Sequence, residues 1–193
     1  MKNVVVREQL GGSHRHAFIS RPAFVDLIAS ALEVYKKEAF GLLIGRKEGA
    51  RYFISDIIPY QSATRSYEWV NMTSQRINRI NFALRHLTNQ EVIGDYHSHP
   101  QGPDRLSATD VSDLFKGMSG LTCLLSVYKK KSCHPWEYLD DNSIAGSIGG
   151  KYYVRIIAYD VDRKKGVVHR IKVVCPYMKS VNKLRLHRAP MCP

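Results

Sequence analysis

The 193-residue sequence contains no long hydrophobic run. No segment approaches the roughly 20 apolar residues that a helix needs to cross a bilayer. The first ten residues carry charges at Lys2, Arg7 and Glu8, and they lack the apolar centre of a secretion signal. These absences argue against a membrane-spanning protein, and we expect a cytoplasmic one.

Cysteine is scarce, and its four positions follow no redox or zinc-finger pattern. Cys123, Cys133, Cys175 and Cys192 form no Cys-x-x-C pair. In a chain of this size without a secretion signal, a disulfide framework is not expected. We therefore predict reduced thiols in an intracellular setting.

Acidic residues are absent from the last part of the chain. Residues 163–193 contain nine Lys or Arg and no Asp or Glu, so most of the net charge of +12 belongs to this segment. The segment has no zinc knuckle and no aromatic residues interleaved with the basic ones, as single-strand binders have. We therefore expect a solvated face or an acidic protein partner rather than nucleic acid.

Helices and strands are predicted in mixed order, which indicates one α/β domain with a mixed β-sheet flanked by helices. Proline and glycine, with 8 and 13 residues, are too few for a low-complexity chain. Helices are predicted from Ser20, from Ser74 with Ile77, Ile80, Leu84 and Leu87 buried, and from Ser107 to Lys116. Strands are predicted at residues 40–45, 52–60, 92–97, 121–128, 152–159 and 167–174, with 129–150 as a long surface excursion.

The segment His97-Ser98-His99-Pro100 has the spacing of a metal site. Side chains two apart on a strand point to the same side, so His97 and His99 can share one ion. Asp110 follows across a loop and can complete a set of three protein ligands. Two imidazoles and a carboxylate suit Zn²⁺ and leave a fourth position for a nucleophilic water.

Hydrolysis at such an ion needs a general base, and Glu38 is the best candidate because it stands at the entry to an apolar strand. Glu33 is an alternative, on the polar side of the first helix. Ser107 can direct its hydroxyl at an oxyanion. Each piece also has a structural interpretation: a surface His pair, a Glu paired with an arginine, and a helix-capping box formed by Ser107 and Asp110.

Taken together, Glu38-x-x-Gly41-Leu-Leu-Ile-Gly45, His97-x-His99-Pro100 and Ser107-x-x-Asp110 resemble the JAMM (MPN+) metalloprotease signature. The resemblance covers residues 17–174, with 1–16 as an N-terminal segment and 175–193 as a short basic C-terminal tail. It implies an MPN domain, with a cytidine-deaminase-like fold. It also implies one catalytic Zn²⁺ bound by His97, His99 and Asp110, Glu38 as general acid/base and Ser107 as oxyanion stabiliser.

The resemblance also implies a substrate class. JAMM enzymes typically cleave after the C-terminal Gly-Gly of ubiquitin or a ubiquitin-like protein, and some prokaryotic relatives process sulfur-carrier proteins. Alternatives are a small peptide substrate, or a non-catalytic interaction module whose basic end recruits a partner. Residues 61–73 and 129–150 stand where modifier-binding insertions could lie, and Trp69 and Trp136 are either binding aromatics or partly buried core. Cys133-His134 is a weak candidate for a second zinc.

Overall fold

The computed structural model describes residues 8–10, 14–60, 74–117 and 120–187. The strands are β1 (Glu8–Leu10), β2 (His16–Ile19), β3 (Phe40–Glu48), β4 (Arg51–Pro59), β5 (Glu91–Pro100), β6 (Leu121–Lys129), β7 (Glu137–Tyr138), β8 (Ile144–Ile148), β9 (Tyr152–Asp162) and β10 (Val167–Val174). The helices are α1 (Arg21–Glu33), α2 (Ser74–Leu87), α3 (Ala108–Lys116) and α4 (Met178–His187).

All ten strands belong to one mixed sheet, in the order β1-β10-β2-β4-β3-β5-β6-β9-β8-β7. Because β10 pairs with β9 on one side and with β2 on the other, the sheet closes on itself like a barrel. β5 lies inside the sheet, antiparallel to β3 and parallel to β6. The predicted α/β class and mixed sheet are confirmed, whereas closure of the sheet was not predicted.

Helix α1 packs on one face of the sheet. Its N-cap is Ser20, whose Oγ accepts a hydrogen bond from the Ala23 amide, and Pro22 occupies the first turn as the sequence indicates. Phe24 and Leu27 are buried in the main hydrophobic core, together with side chains of β2, β4, β6 and β9. We call this side of the sheet the α1 face.

Helix α3 packs on the opposite face. Alternation along β6 places Cys123 and Leu125 on the α1 face, whereas Leu124 points to the other side. There Leu124 packs with Val111 and Leu114 of α3 in a second, smaller core. We call this side the α3 face, and it carries the candidate site.

The structure confirms the predicted helix α2, but the predicted burial of Leu87 is wrong. This side chain is 81% exposed at the last residue of the helix, whereas Ile77, Ile80 and Leu84 are partly buried. The helix is attached to β5 by the Asn81 side chain, whose amide oxygen accepts a hydrogen bond from the Val92 amide. Helical spacing alone could not show that the contact with the sheet ends before Leu87.

The prediction that residues 129–150 run over the surface is wrong for Trp136 and for strand β8. Ile144 and Ala145 of β8 are fully buried where β8 pairs with β9. Trp136 is 3% exposed, and its ring packs edge-on against Phe24, with centroids 4.7 Å apart. Partial core burial is thus the correct interpretation of Trp136, while Trp69 and residues 61–73 lie outside the described residues.

Residues 175–187, which the sequence suggests are a tail, contain the helix α4. Cys175 and Met178 lie in the core, and the Asn182 side chain hydrogen-bonds both the amide and the carbonyl of Trp136 at 2.8 Å. Lys179 and Lys183 face solvent. No helix in the described ranges is long and apolar enough to span a membrane.

Candidate metal centre

His97 and His99 stand side by side on the α3 face of β5. Their separation of two residues directs both rings to one side, with centroids 5.0 Å apart, and each residue is only 7% exposed. Buried imidazole nitrogens need partners, so the surrounding elements decide what these rings can do.

The loop after β5 orients His99. The Pro103 carbonyl lies 3.1 Å from His99 Nδ1 and can only accept, so Nδ1 carries the proton and Nε2 keeps its lone pair. The loop approaches so closely that a Cβ on Gly102 would lie 2.7 Å from the Cβ of His99. Position 102 therefore requires glycine. The loop also provides the carbonyl that binds the second ring nitrogen of His99, a contact that metal-binding histidines usually make.

The start of α3 orients Asp110 through a capping box. Ser107 Oγ accepts from the Asp110 amide at 3.1 Å, and the Ser107 amide donates to Asp110 Oδ2 at 2.6 Å. The same Oδ2 faces both imidazoles. The capping and ligand interpretations of this pair are therefore compatible, because the cap holds the carboxylate toward the histidines.

The three side chains meet in a geometry that fits a metal ion. Asp110 Oδ2 lies 3.7 Å from His97 Nε2 and 3.5 Å from His99 Nε2, and one ligand atom from each residue falls within 4.8 Å of the others. Tetrahedral zinc with ligands at 2.0–2.1 Å places neighbouring ligand atoms about 3.4 Å apart. His97 Nε2 is buried without a hydrogen-bond partner among the described residues, which leaves its lone pair for an ion.

Electrostatics favour the ionised carboxylate. Burial opposes ionisation of Asp110, but the neighbouring imidazoles of His97 and His99 and the hydrogen bond from the Ser107 amide outweigh it and hold the pKa of Asp110 well below its usual range. The hydrogen bond to Asp110 raises the pKa of His99, although burial opposes this, and the negative charge of Glu38 adds to the rise.

Glu38 lies next to this group, in the short segment between α1 and β3. Its side chain is exposed and has no hydrogen bond or ion pair within the described part of the chain. It is therefore not the arginine-paired carboxylate that the structural interpretation predicts. A carboxylate beside the histidines and open to solvent is available for proton transfer.

The comparison with protein families identifies the domain. Residues 20–138 match the family described as prokaryotic homologs of the JAB domain, Prok-JAB. The chain belongs to this family. The predicted resemblance is thereby confirmed at the level of the JAB/MPN domain, a group that includes metalloisopeptidases and also many non-catalytic prokaryotic members.

One solved structure shares the fold of this chain. A solution structure of a protein from Desulfitobacterium hafniense matches with a TM-score of 0.55 at 17% identity, covering 82% of this chain and 92% of that one. A JAB1/MPN domain protein from Archaeoglobus fulgidus is 18% identical with a TM-score of 0.42, covering 81% and 97% of the two chains. No curated protein matches the sequence.

Ser98, between the two histidines, positions the segment that carries Glu38. It points to the α1 face, is 1% exposed, and its Oγ accepts from the Ala39 amide at 2.8 Å. Its own amide donates to the Ala39 carbonyl, also at 2.8 Å. This role was not predicted, although strand alternation already placed Ser98 opposite the histidines.

For the zinc-dependent hydrolysis proposed below, we expect Ser98→Ala to lower kcat about tenfold without changing the zinc affinity. The substitution leaves the buried Ala39 amide unpaired, which costs about 1–3 kcal/mol and loosens the residue next to Glu38. Ser98→Thr keeps the hydroxyl and should retain most of the activity. Turnover and zinc titration of both variants check this, and a parallel loss of zinc binding in Ser98→Ala would contradict it.

A network of arginines and aspartates anchors the loop between the ligands. Arg155 of β9 binds Asp104 of the loop at 2.8 Å and also binds Asp141. Arg170 of β10 binds Asp141 at 2.7 Å, and Tyr128 donates to the Gly102 carbonyl. The sequence predicts a solvated face for residues 163–193, but Arg170 is partly buried in this network. The sequence feature that could have indicated buried ion pairs is an arginine inside an apolar strand, which occurs in both β9 and β10.

The network also makes the fold sensitive to acid. Burial opposes ionisation of Asp141, but Ser143, Arg170 and Arg155 outweigh it and lower its pKa. Because the unfolded-state pKa is higher, near 3.9, the carboxylate stabilises the fold above that pH. The stabilisation is lost as the pH falls toward the lowered value.

Arg155→Met should destabilise the protein by about 2–4 kcal/mol and weaken zinc binding about tenfold or more. It leaves the partly buried Asp104 without its arginine partner and Asp141 with Arg170 alone, and it frees the loop that holds His99 and Asp110. Arg46→Met, which removes the exposed pair with Glu48 and an exposed contact with the Phe53 ring, is the matched control and should cost less than about 1 kcal/mol. Denaturant unfolding and zinc titration measure both effects; equal costs would disprove the anchoring role.

Cys133 does not support a second zinc site. It is disulfide-bonded, so its sulfur is not available as a thiolate ligand, and the expectation of reduced thiols is wrong at this position. Cys123 and Cys175 are free and buried, as expected. His134 instead packs edge-on against Tyr153.

Proposed function

We propose that this Prok-JAB protein is a zinc-dependent metallopeptidase. Its substrate would be the bond that follows a C-terminal Gly-Gly in ubiquitin, a ubiquitin-like protein or a sulfur-carrier protein. The observation that supports this most directly is the convergence of His97 Nε2, His99 Nε2 and Asp110 Oδ2, with Glu38 beside them. The cytoplasmic location stays a prediction.

Each residue has a distinct task in this proposal. His97 and His99 bind through Nε2 as neutral imidazoles, and Asp110 adds one negative charge. When bound, a zinc ion would polarise the scissile carbonyl and lower the pKa of a water molecule to about 7. Glu38 accepts the proton of the attacking water and passes it to the leaving amine.

Ser107 is the proposed oxyanion stabiliser. Its Oγ already accepts a hydrogen bond from the Asp110 amide, so its own hydrogen remains available. Because the residue is exposed at the start of α3, that hydrogen can be donated to the carbonyl oxygen of a substrate. The capping box and the oxyanion contact use different atoms of the pair and do not compete.

The test is hydrolysis of two protein fusions, one ubiquitin-like and one sulfur-carrier-like, each linked through its terminal Gly-Gly to a reporter. We expect cleavage after Gly-Gly that stops on chelation and returns with zinc. Comparing the two fusions identifies the substrate class. Zinc-independent cleavage would refute the metallopeptidase mechanism, and zinc binding without cleavage of either fusion would favour the non-catalytic module.

A further inference from the structure

Exposed lysines gather at the end of the sheet where β5 delivers the candidate ligands. They lie in three segments: between α1 and β3, at the end of β6, and just before β9. We define the lysine surface by these six exposed residues: Lys36, Lys37, Lys129, Lys130, Lys131 and Lys151.

Tyrosine contacts show that the three segments are neighbours in space. Tyr35, next to Lys36, packs edge-on against Tyr152, with ring centroids 5.2 Å apart. Tyr152 follows Lys151 in the chain and is the strand partner of Lys129. The lysine surface is therefore one continuous region rather than scattered charges.

The lysine surface adjoins the candidate metal centre on two sides. Lys36 and Lys37 directly precede Glu38. On the other side, Gln101 lies two residues after His99, and its Nε2 donates to the Tyr35 hydroxyl at 2.6 Å. A peptide whose carbonyl is held beside His99 and Glu38 must therefore lie with part of its chain near these lysines.

The positive charge of the lysine surface is not balanced by the protein itself. Within the described ranges, none of the six lysines forms an ion pair. Two nearby carboxylates, Asp104 and Asp141, are held by Arg155. Glu33, Glu38 and Glu137 then remain against six ammonium groups, so the surface favours a negatively charged partner.

The tyrosines of the surface argue against nucleic acid as that partner. Single-strand binders stack bases on open aromatic faces. Here Tyr35 and Tyr152 pack on each other, and Lys130 Nζ lies 4.2 Å from the centroid of Tyr153. These aromatic rings make contacts within the protein, and the groups that face solvent are the lysine ammonium groups.

We propose that the lysine surface binds an acidic segment of the protein substrate, close to the bond that is cleaved. The inference rests on the proposed function and adds a substrate property to it. It concerns a region separate from the basic C-terminal end, where Lys179 and Lys183 lie on α4. Several exposed charge pairs, each weak, would together contribute about tenfold in affinity.

Binding of short labelled peptides tests the proposal without requiring turnover. Each probe carries Gly-Gly joined through its last carboxyl group to a labelled amine, and the two differ upstream, where one carries Asp and Glu and the other Ser and Gln. We expect the acidic peptide to bind about tenfold tighter at about 20 mM salt, with the difference shrinking at about 200 mM. Fluorescence anisotropy with the Glu38→Gln protein gives both affinities, since it prevents cleavage during the measurement.

A triple variant and a matched control localise the effect. Replacing Lys129, Lys130 and Lys131 by Gln should reduce the preference for the acidic peptide to less than about twofold. Replacing Lys164, Lys165 and Lys179 by Gln changes the net charge equally. Lys164 and Lys165 lie at the opposite end of β9, which spans about 33 Å. This control should keep the preference, and equal losses in both triple variants would overturn the proposal.

Two further outcomes separate this inference from the proposed function. Equal binding of both peptides together with cleavage of the neutral one refutes the acidic-substrate proposal and leaves the metallopeptidase intact. Selective binding of the acidic peptide with no cleavage by the zinc-loaded wild-type protein supports the lysine surface and counts against the enzyme. A single-stranded oligonucleotide that outcompetes the acidic peptide, and loses this ability in the first triple variant, would reassign the surface to nucleic acid.

Discussion

Glu38→Gln should reduce hydrolysis of a Gly-Gly-linked substrate by about 10²–10⁴-fold, while zinc binding stays at the wild-type level. The substitution keeps the size of the side chain and removes its ability to accept a proton. Glu38 lies beside His99 without being one of the three converging ligands. The measurement is kcat of the zinc-loaded variant, together with zinc stoichiometry.

Glu33→Gln is the matched control for Glu38. Glu33 is also exposed and lies five residues earlier, in the last turn of α1. Neutralising it should leave kcat within about twofold, because it carries none of the contacts that surround the histidines. Full activity in Glu38→Gln, or an equal loss in both variants, would rule out the proposed acid/base role.

Asp110→Ala should weaken zinc binding at least 100-fold, which corresponds to about 2.7 kcal/mol. It removes the only charged ligand of the three, and also one half of the capping box with Ser107. In the wild type, zinc at about 100 times its dissociation constant would stabilise the fold by about 2.7 kcal/mol. We expect the rise of Tm on adding zinc to disappear in this variant.

Asp113→Asn provides the control on the same helix. Asp113 lies one turn further along α3 and pairs with the exposed Lys116 at 3.5 Å. This variant should keep the Tm increase with zinc, because its carboxylate does not face the histidines. A zinc response that persists in Asp110→Ala, or is lost equally in Asp113→Asn, would contradict the ligand assignment.

The candidate ligands come from elements that are neighbours in the chain, which explains why so few residues sufficed to predict that they converge. The histidines come from one strand, and the carboxylate comes from the first turn of the next helix. Both halves follow short-range rules, namely alternation along β5 and the Ser107-x-x-Asp110 cap. Within the connecting loop, a close-fitting glycine and one carbonyl orient His99.

The residues that hold the candidate ligands in place lie far apart in the sequence, whereas the ligands themselves lie close together. Arg155 lies 51 residues from Asp104 along the chain, and Ser98 lies 59 residues from Ala39. Contacts over such distances depend on which strands become neighbours, and no local pattern specifies that. An arginine inside an otherwise apolar strand indicates that an acidic partner is present, but it does not indicate which residue that partner is.

The sequence by itself determined the candidate ligand set, the capping of α1 and α3, and most strand positions, because these depend on periodicity and spacing within one element or between neighbouring elements. The tertiary structure decided the closure of the sheet, the burial of β8 and Trp136, and the exposure of Leu87. It also brought three lysine-bearing segments together beside Glu38. The physical reason is that strand pairing and packing join residues far apart in the chain, whereas alternation and capping act over a few residues.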